Sequence, residues 1–76
     1  MFEHPLVFLD LETTGATPAN DRITEIGLVE VADGVLRERW SQLVNPQMRI
    51  PPYIETLTGI TAAMVENAPT FEQLAL

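Results

Sequence analysis

The chain has 76 residues, with four arginines and no lysine against eleven acidic residues, and a net charge of −7 at neutral pH. That size allows one small domain near the lower limit for a self-sustaining core, and a hydrophobic share of 46%, ordinary for a globular chain, argues against disorder. With no cysteine there is no disulfide framework or zinc–thiolate site, and the acidic balance argues against broad coating of nucleic acid, which needs Lys and Arg over phosphates. Met1-Phe2-Glu3-His4-Pro5 lacks the basic start and long apolar stretch of a signal peptide, and no apolar run reaches membrane-span length. A soluble, cytoplasmic chain with no membrane partner is the expectation.

In chain order, the first element is the apolar run Leu6 to Leu9, bounded by Pro5 and Gly15, which leads into Asp10-Leu11-Glu12-Thr13-Thr14-Gly15. Such a run reads as a short strand buried on both faces. Ala16 to Asp21 is a polar, turn-rich loop. Arg22 to Val31 is β-branched, with Thr24, Ile26, Leu28 and Glu30 on one face and Ile23, Glu25, Gly27, Val29 and Val31 on the other. Ala32-Asp33-Gly34 is a hairpin turn, and Val35 to Val44 the returning strand. Three strands in a row predict an antiparallel meander, ended by Asn45-Pro46. Pro52 then opens a short helix through Leu57, broken at Thr58-Gly59-Ile60. Thr61 caps a second helix, Ala62 to Glu66, and Thr70 opens a third with Glu72 and Gln73 in its first turn and Phe71, Leu74 and Leu76 as its apolar positions.

The chemistry concentrates in the first strand. Side chains alternate, so Asp10 and Glu12 point one way and Leu9 and Leu11 the other. Two like charges side by side at the end of a core strand are costly unless a cation sits between them. A hard divalent ion such as Mg²⁺ or Mn²⁺ prefers carboxylate oxygen and shares its shell with substrate phosphates. The hydroxyls of Thr13 and Thr14 and the backbone at Gly15 suit a phosphate-bearing ligand beside it. Asp-x-Glu alone is equally a solvated strand end; the apolar run before it and Thr-Thr-Gly after it give it weight. Elsewhere, Glu25 reads as an orienting carboxylate or as a partner for Arg22 or the loop backbone. Gly27 reads as a close-packing point, Trp40 as half-buried packing, and Arg37, Arg39 and Arg49 as surface residues.

Phe8-Leu9-Asp10-Leu11-Glu12-Thr13-Thr14-Gly15 resembles the first motif of the DEDD-type (DEDDh) 3′–5′ exonucleases, the family that includes the epsilon-like proofreading subunit of bacterial DNA polymerase III. Arg22-Ile23-Thr24-Glu25-Ile26-Gly27 is similar to the family's second strand. Leu43-Val44-Asn45-Pro46, Ile50-Pro51-Pro52 and Leu57-Thr58-Gly59-Ile60-Thr61 resemble the segment lining its nucleotide pocket. The resemblance implies an α/β, RNase H-like mixed sheet led by three antiparallel strands, with short helices at the C-terminal end. It implies two Mg²⁺ or Mn²⁺ ions in the complete domain and release of nucleoside monophosphates from single-stranded or frayed DNA 3′ ends. Asp10 and Glu12 would then be catalytic metal ligands, and Thr13, Leu57 and Thr58 contacts of the terminal nucleotide, with Thr14 and Gly15 beside them as substrate-binding residues. Tyr53, near the expected pocket rim, reads equally as a nucleotide contact and as helix packing. Many relatives carry His at the position of Thr58, so a hydrogen bond would replace a stack there. A DNA polymerase or a fused nuclease domain is the implied protein partner.

The family's third and fourth acids and its His or Tyr base have no counterpart in these 76 residues, and His4, ahead of the first strand, reads as a surface residue. Residues 1–76 therefore read as the N-terminal part of one exonuclease domain, with the remainder absent and negligible activity alone. The alternative is a catalytically inactive nucleotide-binding or protein-interaction module.

Overall fold

A computed structural model describes residues 5–75. His4 and Leu76, for which the sequence suggests a surface position and a place on the last apolar stripe, lie outside the described residues. The order is β1 (Leu6–Thr13), β2 (Ile23–Ala32), β3 (Val35–Leu43), α1 (Pro52–Thr58), α2 (Ala62–Val65) and α3 (Phe71–Ala75). The strands form one antiparallel sheet in the order β1-β2-β3. This is the expected meander. Asp33 and Gly34 both take positive φ, 54° and 74°, the requirement of the tight turn whose twist matches a hairpin.

The helices start and stop for local reasons visible in the chain. Pro52 occupies the first turn of α1, where its missing N–H costs nothing. Gly59 at φ 77° closes that helix, its N–H donating to the Glu55 carbonyl at 2.8 Å. Thr61 caps α2 by accepting the Met64 N–H, and the Glu55 carboxylate accepts the Ala62 N–H at 2.7 Å. Thr70 and Gln73 form a reciprocal cap at α3: the Thr70 N–H donates to Gln73 Oε1 at 2.8 Å and the Gln73 N–H to Thr70 Oγ1 at 3.2 Å.

The core lies on the helical side. Ile50, Ile54, Ile60 and Val65 are buried together, with Leu43 and Ala68 packed against them, and Val44 just beyond β3 is fully enclosed. Asn45 stitches this region to the last loop. Its N–H donates to the Pro69 carbonyl at 2.8 Å, its Nδ2 to the Glu66 carbonyl at 3.3 Å, and its Oδ1 accepts the Gln47 N–H at 2.8 Å.

The burial expected for β1 is not found. Val7 and Leu9 are each 62% exposed and Phe8 57%, on opposite faces of the strand. The cause is topological: β1 is the end strand, the core forms between the end of β3 and the helices, and among the described residues no buried cluster reaches β1. Two irregularities also interrupt the period-two reading. The register shifts after Glu12, leaving Thr24 as the extra residue on β2, and again after Glu30, leaving Arg37 extra on β3. Leu36 consequently pairs with Val31 and joins the face carrying Asp10, rather than the face of Trp40.

Candidate functional site

Register fixes the neighbourhood of the two carboxylates. Asp10 lies opposite Gly27 and Glu12 opposite Glu25, while Ser41 lies beyond Gly27 and Leu43 beyond Glu25. Residues directly opposite on an antiparallel pair share a face, so Asp10, Glu12 and Glu25 project on the same side. Asp10 is exposed and Glu12 half-buried. Two residues of strand separate them by about 6.7 Å of rise, within the span over which two carboxylates can share one ion or hold adjacent ones. Glu25 facing Glu12 adds like-charge repulsion that a cation would relieve. Among the described residues, however, no group of three or more His, Cys, Asp or Glu is close enough to hold a metal ion. The two carboxylates of β1 are hard oxygen donors on an open face, a chemistry that fits a hard divalent cation.

The Thr-Thr-Gly segment is more internally committed than its sequence suggests. The Thr13 hydroxyl donates to the Gly15 carbonyl and accepts the Gly15 N–H at 3.3 Å. Thr14 is 1% exposed, and its hydroxyl donates to Asp21 Oδ1 at 3.0 Å, accepts the Arg22 N–H at 3.0 Å and lies 3.4 Å from Met48 Sδ. Asp21 also accepts the Thr17 N–H at 2.8 Å. Asp21, one residue of the turn-rich segment Ala16 to Asp21, therefore organises the loop that follows β1. It fills the role of backbone acceptor that was one reading of Glu25. The signal available was an acidic residue seven positions beyond Thr14, too generic to single out.

Gly15 is crowded by that same carboxylate. A Cβ there would lie 2.6 Å from Asp21 Oδ2 and 2.8 Å from its Cγ. Gly15→Ala is expected to destabilise the protein by about 1–3 kcal/mol, because moving Asp21 breaks hydrogen bonds to a charged group. In an Asp21→Ala background the same change should cost little. A thermal-melt double-mutant cycle would show this coupling, and additive effects would refute it.

The predicted contacts on α1 differ in how far they are free for a ligand. Tyr53 and Leu57 are one turn apart and 70% and 78% exposed, an apolar pair facing solvent. The Thr58 hydroxyl is used within the helix end, donating to the Ile54 carbonyl at 2.8 Å and accepting the Ile60 N–H at 3.1 Å. Two concave regions lie elsewhere. One, lined by residues that include Arg22, Val44, Gln47 and Phe71, is at the mouth of α3. The other, lined by Val7, Leu28, Glu30, Glu38 and Trp40, is on the sheet face opposite Asp10. Neither contains Asp10, Glu12, Tyr53 or Leu57.

The comparisons with known proteins agree with this architecture. An exonuclease family model matches residues 7–76, so the chain belongs to that exonuclease family. A protein of Mycobacterium tuberculosis named as a bifunctional exonuclease/endonuclease is 53% identical over 92% of this chain, and the 3′–5′ exonuclease DinG of Bacillus subtilis is 43% identical over 99% of it. The chain spans only 12% and 8% of those two relatives. A solved structure of Exonuclease X in complex with 5′ overhanging duplex DNA superposes with a TM-score of 0.79 at 35% identity, covering 90% of this chain and 39% of that one. The fold is thus part of an exonuclease fold, in line with the RNase H-like expectation, and divalent-metal dependence is general in the family. Among the described residues no helix is long and apolar enough to cross a membrane.

Proposed function

We propose that residues 1–76 are the N-terminal part of a metal-dependent 3′–5′ exonuclease domain acting on DNA ends, with Asp10 and Glu12 as ligands of Mg²⁺ or Mn²⁺. The observation that carries the reading is the pairing of these two carboxylates on one solvent-reachable face of β1, beside the side-chain-free Gly27. Ions held there supply the charge that activates water and stabilises the leaving oxygen in phosphodiester hydrolysis. This chain's own residues bind and orient. Asp10 and Glu12 hold the ions, the half-buried Thr13 shapes the ground beside them, and Tyr53 and Leu57 offer exposed apolar surface to a terminal base and sugar. Thr58 would act through the helix end it closes, and Thr14 and Gly15 by fixing the loop behind the carboxylates. The acidic surface suits gripping one DNA end through metal better than tracking a duplex. The proposed product is a nucleoside monophosphate. The proposed setting is cytoplasmic, with a polymerase or a second nuclease domain as partner, the latter in keeping with the name of the bifunctional relative.

The test is a Mn²⁺ titration by calorimetry on wild type and Asp10→Ala, with and without a nucleoside monophosphate. Binding that depends on Asp10 and tightens with nucleotide is expected. Absence of Asp10-dependent binding would mean that this segment does not hold metal by itself and would defeat the assignment.

A further inference from the structure

We infer that Gly27 is a positioning residue for the carboxylate face: having no side chain, it keeps open the space beside Asp10 that a hydrated divalent ion needs. The inference rests on the reading of Asp10 and Glu12 as metal ligands and adds a residue that reading does not use.

The chain has four glycines, three of them with a structural reason to be glycine. Gly34 and Gly59 are required by positive φ, and Gly15 by the Asp21 carboxylate pressed against it. Gly27 has neither reason. Its backbone is not in the positive-φ region, and a Cβ built on it meets only the Asp10 carbonyl oxygen at 3.7 Å and the Asp10 Cβ at 4.0 Å, ordinary contact distances. The tight packing that the sequence suggests for this position is absent from the structure. A glycine inside a strand weakens it relative to alanine. At position 27 that cost has no local structural return.

What glycine does provide is space on one particular face. Gly27 is directly opposite Asp10 in the register, and Ser41, also small, lies beyond it on β3. A Cβ at position 27 lies 4.0 Å from the Asp10 Cβ, on the same face, so γ atoms added there would extend over the Asp10 carboxylate. Mg²⁺ dehydrates reluctantly and keeps several waters, so its site needs room beyond the carboxylate oxygens themselves. The row Asp10–Gly27–Ser41 is that room.

The experiment compares wild type, Gly27→Ala, Gly27→Val and Asp10→Ala by Mn²⁺ calorimetry, with thermal unfolding of each. Valine is a strong strand former, so both position-27 variants should melt at or above the wild-type temperature. Gly27→Ala should bind like wild type, and Gly27→Val at least about tenfold more weakly, the scale seen when a metal site's surroundings are disturbed. Wild-type-like binding by a folded Gly27→Val, with Asp10-dependent binding intact, overturns the inference and leaves the metal reading standing. No Asp10-dependent binding even in wild type removes both. Should Gly27→Val not fold, Gly27→Thr makes the same test. Failure of both to fold would make Gly27 a structural requirement and overturn the inference.

Discussion

Ile54→Ala should remove most of the stability of this chain, while Leu57→Ala, three residues further along the same helix, should leave it nearly unchanged. Ile54 is 7% exposed and packs with Ile50, Ile60 and Val65, the cluster that holds α1 and α2 to the end of β3. Leu57 is 78% exposed and loses little by truncation. Cutting a buried isoleucine to alanine costs about 2–5 kcal/mol, the transfer term plus the cavity left behind. A chain of this length has a total stability of only about 4–11 kcal/mol, at 0.05–0.15 kcal/mol per residue. With β1 contributing little enclosed surface, the lower end applies. The expected result is a melting temperature lowered by at least about 10 °C, or loss of a cooperative transition, since each kcal/mol moves a domain of this size by about 4–8 °C. Circular dichroism melts of the two variants check it. Equal effects from Ile54→Ala and Leu57→Ala would show that the helical cluster is not the stabilising core.

How much of this was legible in the sequence follows from which interactions are local. The strands, the Asp33-Gly34 turn and the caps at Thr61 and Thr70 depend on period and on neighbours within four residues, and all are found where the pattern puts them. The shared face of Asp10 and Glu12 was legible for the same reason. The exposure of β1 was not, because apolar residues on both faces record what a strand can bury, whereas actual burial depends on elements packed against it. The extra residues Thr24 and Arg37 leave no compositional trace, yet they decide which side chains share the Asp10 face. Thr14 shows the limit most clearly. Its hydroxyl reads as free for a ligand, and only the fold of the following loop shows it bound to Asp21 and Arg22.

Raising the salt concentration should drive this chain to self-associate, and Leu9→Lys should keep it monomeric. As the end strand of the sheet, β1 carries backbone donors and acceptors on its outer side with, among the described residues, no neighbouring strand to pair them, beside Val7, Phe8, Leu9 and Leu11, all exposed. Long apolar edges of this kind are templates for strand addition, and natural proteins blunt them with inward charges, most often lysine. Antiparallel pairing of two β1 strands about a twofold axis at Leu9 would set Asp10 opposite Phe8 and Glu12 opposite Leu6. No like charges would then face each other across the new ladder. What opposes the association is the net charge of −7 on each copy. That repulsion acts over a screening length of about 10 Å at 0.1 M salt, falling to about 3 Å at 1 M, while pairing and apolar burial are not weakened by salt. Lysine at position 9 would face its symmetry mate at the centre of the ladder and disrupt the apolar strip. It also lowers the net repulsion by one unit, so a monomeric Leu9→Lys cannot be credited to charge alone. Sedimentation velocity across a salt series decides the matter: a wild type that stays monomeric at high salt, or a Leu9→Lys variant that associates as readily, would show that β1 is not the interface.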